Sequence, residues 1–283
     1  MKTILVTGAT DGIGLETVKL LAHEGHNLII HGRSADKLKH VEQMLGADYP
    51  AVQVTGFVAD LSDFKAVDNF VNRVVEAFSA IDVIINNAGV FHSPAIVTNA
   101  GLDVRFMVNT IAPFIITKRL LPLMPSDGRV VNVSSAAQAP VNFDLLSQGP
   151  SMSDGMAYAQ SKLAITMSDG MAYAQSKLAI TMWTRFFAEK YEATGPLFVS
   201  VNPKSLLGSK MVKEAYGVAG GDLAIGAKIF VEAALSDRFA NVKGEYFDND
   251  NNQFAPAHPF GENSSNREQL VNVIESIVAS HTS

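Results

Sequence analysis

The sequence predicts one doubly wound α/β domain over residues 1–283, a mostly parallel sheet with helices on both faces, and three observations predict it. Short runs that are apolar on both faces recur along the chain, longer stretches with helical periodicity separate them, and the first run ends in a glycine-rich turn. Strands apolar on both faces belong to parallel sheets covered by crossover helices.

The elements follow in order. MKTILV opens with the strand Ile4 to Val6; its apolar run stops at Gly8, so it is read as a strand and not as an export signal. NLIIHG at 27–32, VQVTGFVAD at 52–60, DVIINNAG at 82–89, RVVNVSS at 129–135 and LFVSVNP at 197–203 supply further strands. Between them Glu16 to His23, Lys37 to Leu45 and Phe64 to Phe78 repeat their apolar residues at helical spacing. The polar run DNDNNQ at 248–253 lies past the last candidate strand, and Arg267 to Ala279 reads as a final outer helix. Such sheets bind ligands at the carboxyl ends of their strands, near the switch in strand order.

A net charge of −6 and a pI near 5.6 argue against nucleic acid and anionic membrane as main partners, since both need a basic surface. With no cysteine there is neither a disulfide nor a thiolate metal site, and the 7 histidines show no ligand spacing, so no metal is expected. No apolar run reaches the ~20 residues of a membrane span. The expectation is a soluble, cytoplasmic protein.

After the first strand comes Thr7-Gly8-Ala9-Thr10-Asp11-Gly12-Ile13-Gly14, and then a helix. Glycine suits a sharp turn where a phosphate must approach main-chain N–H groups at a helix start, so Gly8, Thr10, Asp11, Gly12, Ile13 and Gly14 read as a dinucleotide cradle. Two tyrosines stand four residues before lysines, Tyr158 with Lys162 and Tyr173 with Lys177. That spacing places each pair on one helix face, where the ammonium is expected to lower the phenol's pKa from ~10 and make it a usable proton donor.

Together these motifs resemble the short-chain dehydrogenase/reductase family, in its short single-domain, retinol-dehydrogenase-like form. TGATDGIG matches the T-G-x-x-x-G-x-G cofactor motif, and Asp60-Leu61, Asn86-Asn87-Ala88-Gly89, Asn109 in VNTIAPF, Ser135 and Tyr-x-x-x-Lys match at the expected places. The resemblance implies a Rossmann-like fold and oxidoreduction between a nicotinamide and a carbonyl or alcohol. It implies that Asp60, Leu61, Asn87, Ala88, Gly89 and Pro203 line the cofactor and that the lysine, Lys177 or Lys162, holds the nicotinamide ribose. Ser135 would bond the substrate oxygen and Asn109 would maintain a water path to the lysine. Phe91, Val141, Phe143 and Leu145 are candidates to line an apolar substrate pocket. The helix of the Tyr-Lys pair commonly lies in the family's subunit interface, so a homodimer or homotetramer is expected. At the end of the second strand Arg33 stands where an acid would select NAD; arginine pairs with a 2′-phosphate, so NADP is expected rather than NAD. Lys204 follows Pro203 where the family has glycine, and a positive φ there would be strained.

MSDGMAYAQSKLAIT stands at 152–166 and again, unchanged, at 167–181, a tandem duplication. On one unbroken helix the second tyrosine would lie ~22 Å along the axis and ~60° around it from the first, so both cannot serve one site. If Tyr158 is used, Ser168-Asp169-Gly170 falls inside a helix, where these residues are costly. If Tyr173 is used, the same three residues begin the helix and the surplus falls in a loop, where length is cheap. Tyr173 and Lys177 are therefore the expected pair, with Tyr158 and Lys162 as the alternative.

Overall fold

The structure, a computed structural model, describes residues 1–147 and 168–281. Tyr158, Lys162 and the rest of the first copy lie outside the described residues, as do the side chains of Leu145 and Ser147.

Strands β1 (Thr3–Val6), β2 (Asn27–Gly32), β3 (Val54–Val58), β4 (Val83–Asn86), β5 (Arg129–Val133) and β6 (Leu197–Asn202) form the parallel part of one sheet. Its order is β3-β2-β1-β4-β5-β6 and it continues into β7 (Tyr246–Asp248) and β8 (Gln253–Ala255). β1 pairs with both β2 and β4, so the strand order reverses between β1 and β4. The fold is the doubly wound, Rossmann-like one expected.

One core lies on each face. Beneath α1 (Gly12–His23) and α2 (Ala35–Asp48) are Ile4, Val6, Ile30, Val131 and Phe230, the last from α9 (Leu223–Leu235); α8 (Lys210–Tyr216) precedes α9. The other face holds α3 (Phe64–Ala77), α5 (Ala112–Leu120), α6 (Phe143–Ser147), α7 (Asp169–Lys190), α10 (Pro259–Glu262) and α11 (Ser264–His281). Phe70, Phe114, Trp183, Phe187 and Ile274 from these helices meet Leu5, Ile84 and Val130 of the sheet. The short α4 (Val104–Phe106) runs through a π-helical turn, Met107–Ile111, into α5. By length and composition Val104–Leu123 would cross a membrane, but it is mostly buried among its neighbours.

The structure corrects several expectations. α1 begins at Gly12 and not at Glu16, because the Asp11 carboxylate accepts the Gly12 N–H at 2.8 Å and starts the helix there. The runs at 52–60 and 82–89 shorten to β3 and β4, which leaves Asn87, Ala88 and Gly89 in a loop. The stretch 248–253 does not lie beyond the sheet: β7 pairs parallel with β6, and β8 returns antiparallel to β7. These strands are too short to show a period, and Phe239, Phe247 and Phe254 pack edge to face at 5.1–5.3 Å to hold them.

Candidate active site

The cradle forms where the ends of β1 and β4 meet. Asn87 donates from Nδ2 to the Thr7 and Gly8 carbonyls at 2.9 and 3.1 Å, and the Ala88 N–H donates to Thr7 Oγ1 at 3.0 Å. Gly8 and Gly12 have φ of 68° and 56°. A Cβ on Gly14 would stand 2.2 Å from the Gly8 carbonyl oxygen, whereas one on Gly12 would meet nothing nearer than Ser209 Cβ at 3.9 Å. The glycines thus close the turn tightly on itself at the start of α1. Thr10 packs its methyl on Gly32, and Ile13 packs into the core beneath α1.

His31, which sequence reasoning passed over, fastens this turn. It is 2% exposed, and its Nδ1 accepts the Gly8 N–H at 3.2 Å. The ring proton therefore sits on Nε2, facing the Ala59 carbonyl at 3.1 Å. Burial pushes its pKa down to about 4. A lone histidine inside the apolar run NLIIHG was the available signal.

At the end of β2, Arg33 is exposed, and Lys37 reaches Asp11 at 3.1 Å. Burial opposes ionisation of Asp11, yet the Lys37 ammonium and the Gly12 N–H hold its carboxyl below the ordinary value. Lys37 is a second cation on this side that the sequence reading missed. Asp60 accepts from Ser62 N and Oγ at 2.9 and 2.8 Å, Leu61 is buried, and the Pro203 carbonyl accepts from Asn249 Nδ2 at 2.9 Å.

The second half of the site gathers at the ends of β4 and β5. Asn109 lies in the π turn, where the widened backbone ring sets it against the β4 loop. Its amide grips Val90, accepting from N at 2.8 Å and donating to O at 2.9 Å, and donates to Ser176 Oγ at 3.0 Å. A Cβ on Gly89 would meet Asn109 Oδ1 at 3.4 Å and Lys177 Nζ at 3.6 Å, so these three groups converge. Ser135 Oγ accepts the Ala137 N–H at 3.1 Å, and the Ser135 carbonyl accepts the hydroxyl of Tyr246, from β7, at 3.2 Å.

Helix α7 begins as the S-D-G argument requires: Ser168 is its N-cap, with Oγ accepting the Met171 N–H at 3.2 Å. The helix brings Tyr173 to Ser135, with which the phenol shares a hydrogen bond. Lys177 is 3% exposed, donates from Nζ to the Val133 carbonyl at 2.7 Å, and lies 5.6 Å from the Tyr173 ring. Ser134 bonds the Lys177 carbonyl and Thr181, which pins α7 to the end of β5.

The expected lowering of the phenol pKa by its lysine is not found. Burial pushes Tyr173 up to about 12, opposed by the Ser135 hydrogen bond, and burial pushes Lys177 down to about 7. A dry site disfavours the charged form of both groups. The pocket-lining expectation also needs correction. Phe91 does stand at the site, 5.0 Å from the Tyr173 ring and 5.9 Å from that of Tyr216. Val141 instead joins the core, and Phe143 packs against Phe260 at 5.8 Å. Lys204 has φ of 114°, as the missing glycine implied, and its charge acts on Asp250.

Proteins similar to this chain include dehydrogenases. The chain is 33% identical over 174 residues to the short-chain dehydrogenase TIC 32 A, chloroplastic, of Brassica napus, a match covering 57% of this chain and 54% of that one. The chain thus spans about half the length of that relative. Human retinol dehydrogenase 13 is 28% identical over 268 residues, covering 87% of this chain and 76% of its own. Human polyprenol dehydrogenase is 36% identical over 172 residues, covering 58% of this chain and 52% of its own. A crystal structure from Mycobacterium paratuberculosis superposes with a TM-score of 0.76 at 23% identity, covering 99% of this chain and 94% of that one. A short chain dehydrogenase from Burkholderia cenocepacia J2315 in complex with NADP gives 0.65 at 24%, covering 87% and 95%. At these identities the two structures speak to the fold alone. Residues 2–168 match the short chain dehydrogenase family, a span that takes in the first copy's Tyr158 and Lys162 and stops before Tyr173. Identical copies score alike residue by residue, so such a match says nothing of which copy folds into the site. On these matches and this architecture, the chain belongs to the short chain dehydrogenase family.

Proposed function

We propose that the chain is an NADP-dependent oxidoreductase that interconverts a carbonyl and an alcohol on a small, apolar substrate. The observation that carries this reading is the convergence of Tyr173, Ser135, Lys177 and Asn109 beside a glycine cradle at the β1/β4 reversal. The cradle fits a dinucleotide: φ is positive at Gly8 and Gly12, and a Cβ on Gly14 would strike the Gly8 carbonyl, so the main chain turns tightly at the start of α1. Gly8, Thr10, Asp11, Gly12, Ile13 and Gly14 would hold the pyrophosphate, and Asp60, Leu61, Asn87, Ala88, Gly89 and Pro203 the remainder of the cofactor. Arg33 would take the 2′-phosphate, with Lys37 already neutralising Asp11 beside it. The retinol and polyprenol named for two relatives favour an apolar substrate here.

Bound NADP(H) supplies or accepts the hydride. In the reductive direction Tyr173 protonates the substrate oxygen, and Ser135 fixes that oxygen through its hydroxyl. Lys177 carries a proton close to neutrality, with its pKa near 7, and passes it towards Tyr173 along the Asn109 side of the site. Phe91 packs against the ring that carries the phenol.

A second reading, cofactor binding with little or no turnover, is favoured by one observation, the φ of 114° at Lys204 beside the proposed nicotinamide site. The deciding experiment follows NADPH oxidation against apolar aldehydes and ketones for the unmodified chain, Tyr173→Phe and Tyr158→Phe, with NADPH affinity measured for each. A loss of about 10²–10⁴-fold in kcat for Tyr173→Phe alone, with NADPH still bound, is the expected result. A loss in Tyr158→Phe alone would assign the site to the first copy, and NADPH binding without turnover in the unmodified chain would favour the second reading.

A further inference from the structure

Four charged or titratable side chains that the proposed reaction does not use meet between the β4 loop and the start of α7. Arg105 is 1% exposed, and its Nε and Nη2 donate to Asp103 Oδ1 and Oδ2 at 2.8 and 2.6 Å. Its Nη1 donates to Asp169 Oδ1. The other oxygen of Asp169, Oδ2, meets His92 Nδ1 at 2.8 Å. The His92 hydrogen bond and the Arg105 charge, against partial burial, hold the Asp169 carboxyl below its ordinary value.

The cluster ties together three segments distant in sequence. Asp169 is the first residue of α7, four before Tyr173 and eight before Lys177, so the three share a helix face. His92 follows Phe91, whose ring lies 5.0 Å from that of Tyr173. On the other side of Phe91, Asn109 grips both the N–H and the carbonyl of Val90. Phe91 therefore stands between two anchors, one made by Asn109 and the other by Asp169. A guanidinium buried between two carboxylates gives the second anchor a fixed base, since removing one partner leaves a buried charge uncompensated.

We propose that Asp169 is a positioning residue: fixed by Arg105, it clamps His92 and so holds Phe91 against the Tyr173 ring, limiting the access of water to that phenol. The clamp rests on the reading of Tyr173 as the proton donor and deepens it. An aromatic wall fastened on both sides also narrows the space beside the substrate oxygen, which fits substrates with an apolar group next to the carbonyl.

The test uses the full chain with Asp169→Asn, Asp169→Glu and His92→Ala. His92 is exposed, so its replacement leaves folding and both charges of the Arg105 pair intact. Ionisation of Tyr173 is followed by NMR of chains carrying ¹³C in the tyrosine rings, the line being assigned by its loss in Tyr173→Phe. Opening the clamp admits water, so the Tyr173 midpoint falls by about one pH unit in His92→Ala and Asp169→Asn and returns in Asp169→Glu. An unmoved midpoint in His92→Ala, or an equal drop in Asp169→Glu, would overturn the proposal. Because the titration needs no turnover, a chain that shows the shifts without reducing any carbonyl supports the clamp and sinks the oxidoreductase reading instead.

Discussion

Lys204 follows Pro203 at the end of β6 with φ of 114°, and Leu206 two residues on has φ of 53°. Both conformations disfavour a residue with a Cβ, and strain of this kind costs on the order of 1–3 kcal/mol. The turn is held by Asp250, which accepts from Asn202 Nδ2 at 2.9 Å and from Ser205 N and Oγ at 3.0 and 2.6 Å. Lys204→Gly is expected to stabilise the ligand-free chain by about 1 kcal/mol, the relief of strain exceeding the entropy glycine loses on folding. Urea unfolding of the two chains measures it, and an unchanged or lower midpoint would show that the turn tolerates lysine without strain. Lys204 was legible in the sequence because it breaks a residue pair that has a backbone reason. His31 carried only a faint mark, a polar residue in the apolar run NLIIHG, since its value lies in a contact with Gly8, 23 residues earlier.

Helix α7 shows why the S-D-G stretch was readable at the scale of an element. Ser168 caps, Asp169 and Gly170 open the first turn, and Trp183 and Phe187 remain on the buried face further on. Capping chemistry is local, so its cost could be weighed from the chain alone; Ser168→Ala should lower stability by about 1 kcal/mol in thermal or urea unfolding. A drop within error would mean that the start of α7 rests on Asp169 and its ion pairs instead. Removing either copy of MSDGMAYAQSKLAIT yields the same single-copy chain, so deletion cannot distinguish the copies and only point substitutions can. The π turn at Met107–Ile111, which places Asn109, had no such signal, because one extra residue in a turn leaves no mark on composition. The three-residue β7 and β8 were equally hidden, being strands only by virtue of β6 and of one another.

Across the whole molecule, the two-faced sheet was legible from its apolar runs, whereas the wrapping of its outer layer was not. α11 packs along α7 and α6, and Arg267 within it donates to Glu189 at 2.9 and 3.2 Å and to the carbonyls of Gly261 and Glu262. That side of α7 is covered by the chain's own C-terminal helix, so an assembly that used it would first have to displace α11. The site also imposes a cost on the whole fold, and its sign can be worked out. Lys177 has a folded pKa of about 7 against 10.5, so between those values the unfolded chain binds more protons and stability rises with pH. His31, at about 4 against 6.5, makes stability fall as pH drops through that interval, while Tyr173, raised from 10.0 to about 12, reverses the trend above pH 10. The ligand-free chain should therefore gain stability steadily from acid to mildly alkaline pH, despite the growing repulsion of a net charge of −6. Lys177→Met should flatten the rise between pH 7 and 10 and stabilise the chain at pH 7 by about 2 kcal/mol, the relief of the buried charge being offset by an unpaired Val133 carbonyl. Urea midpoints across pH for both chains measure this. A variant that is less stable at pH 7 would show that Lys177 is needed to hold the site together, and a rise of unchanged slope would place the titrating group elsewhere.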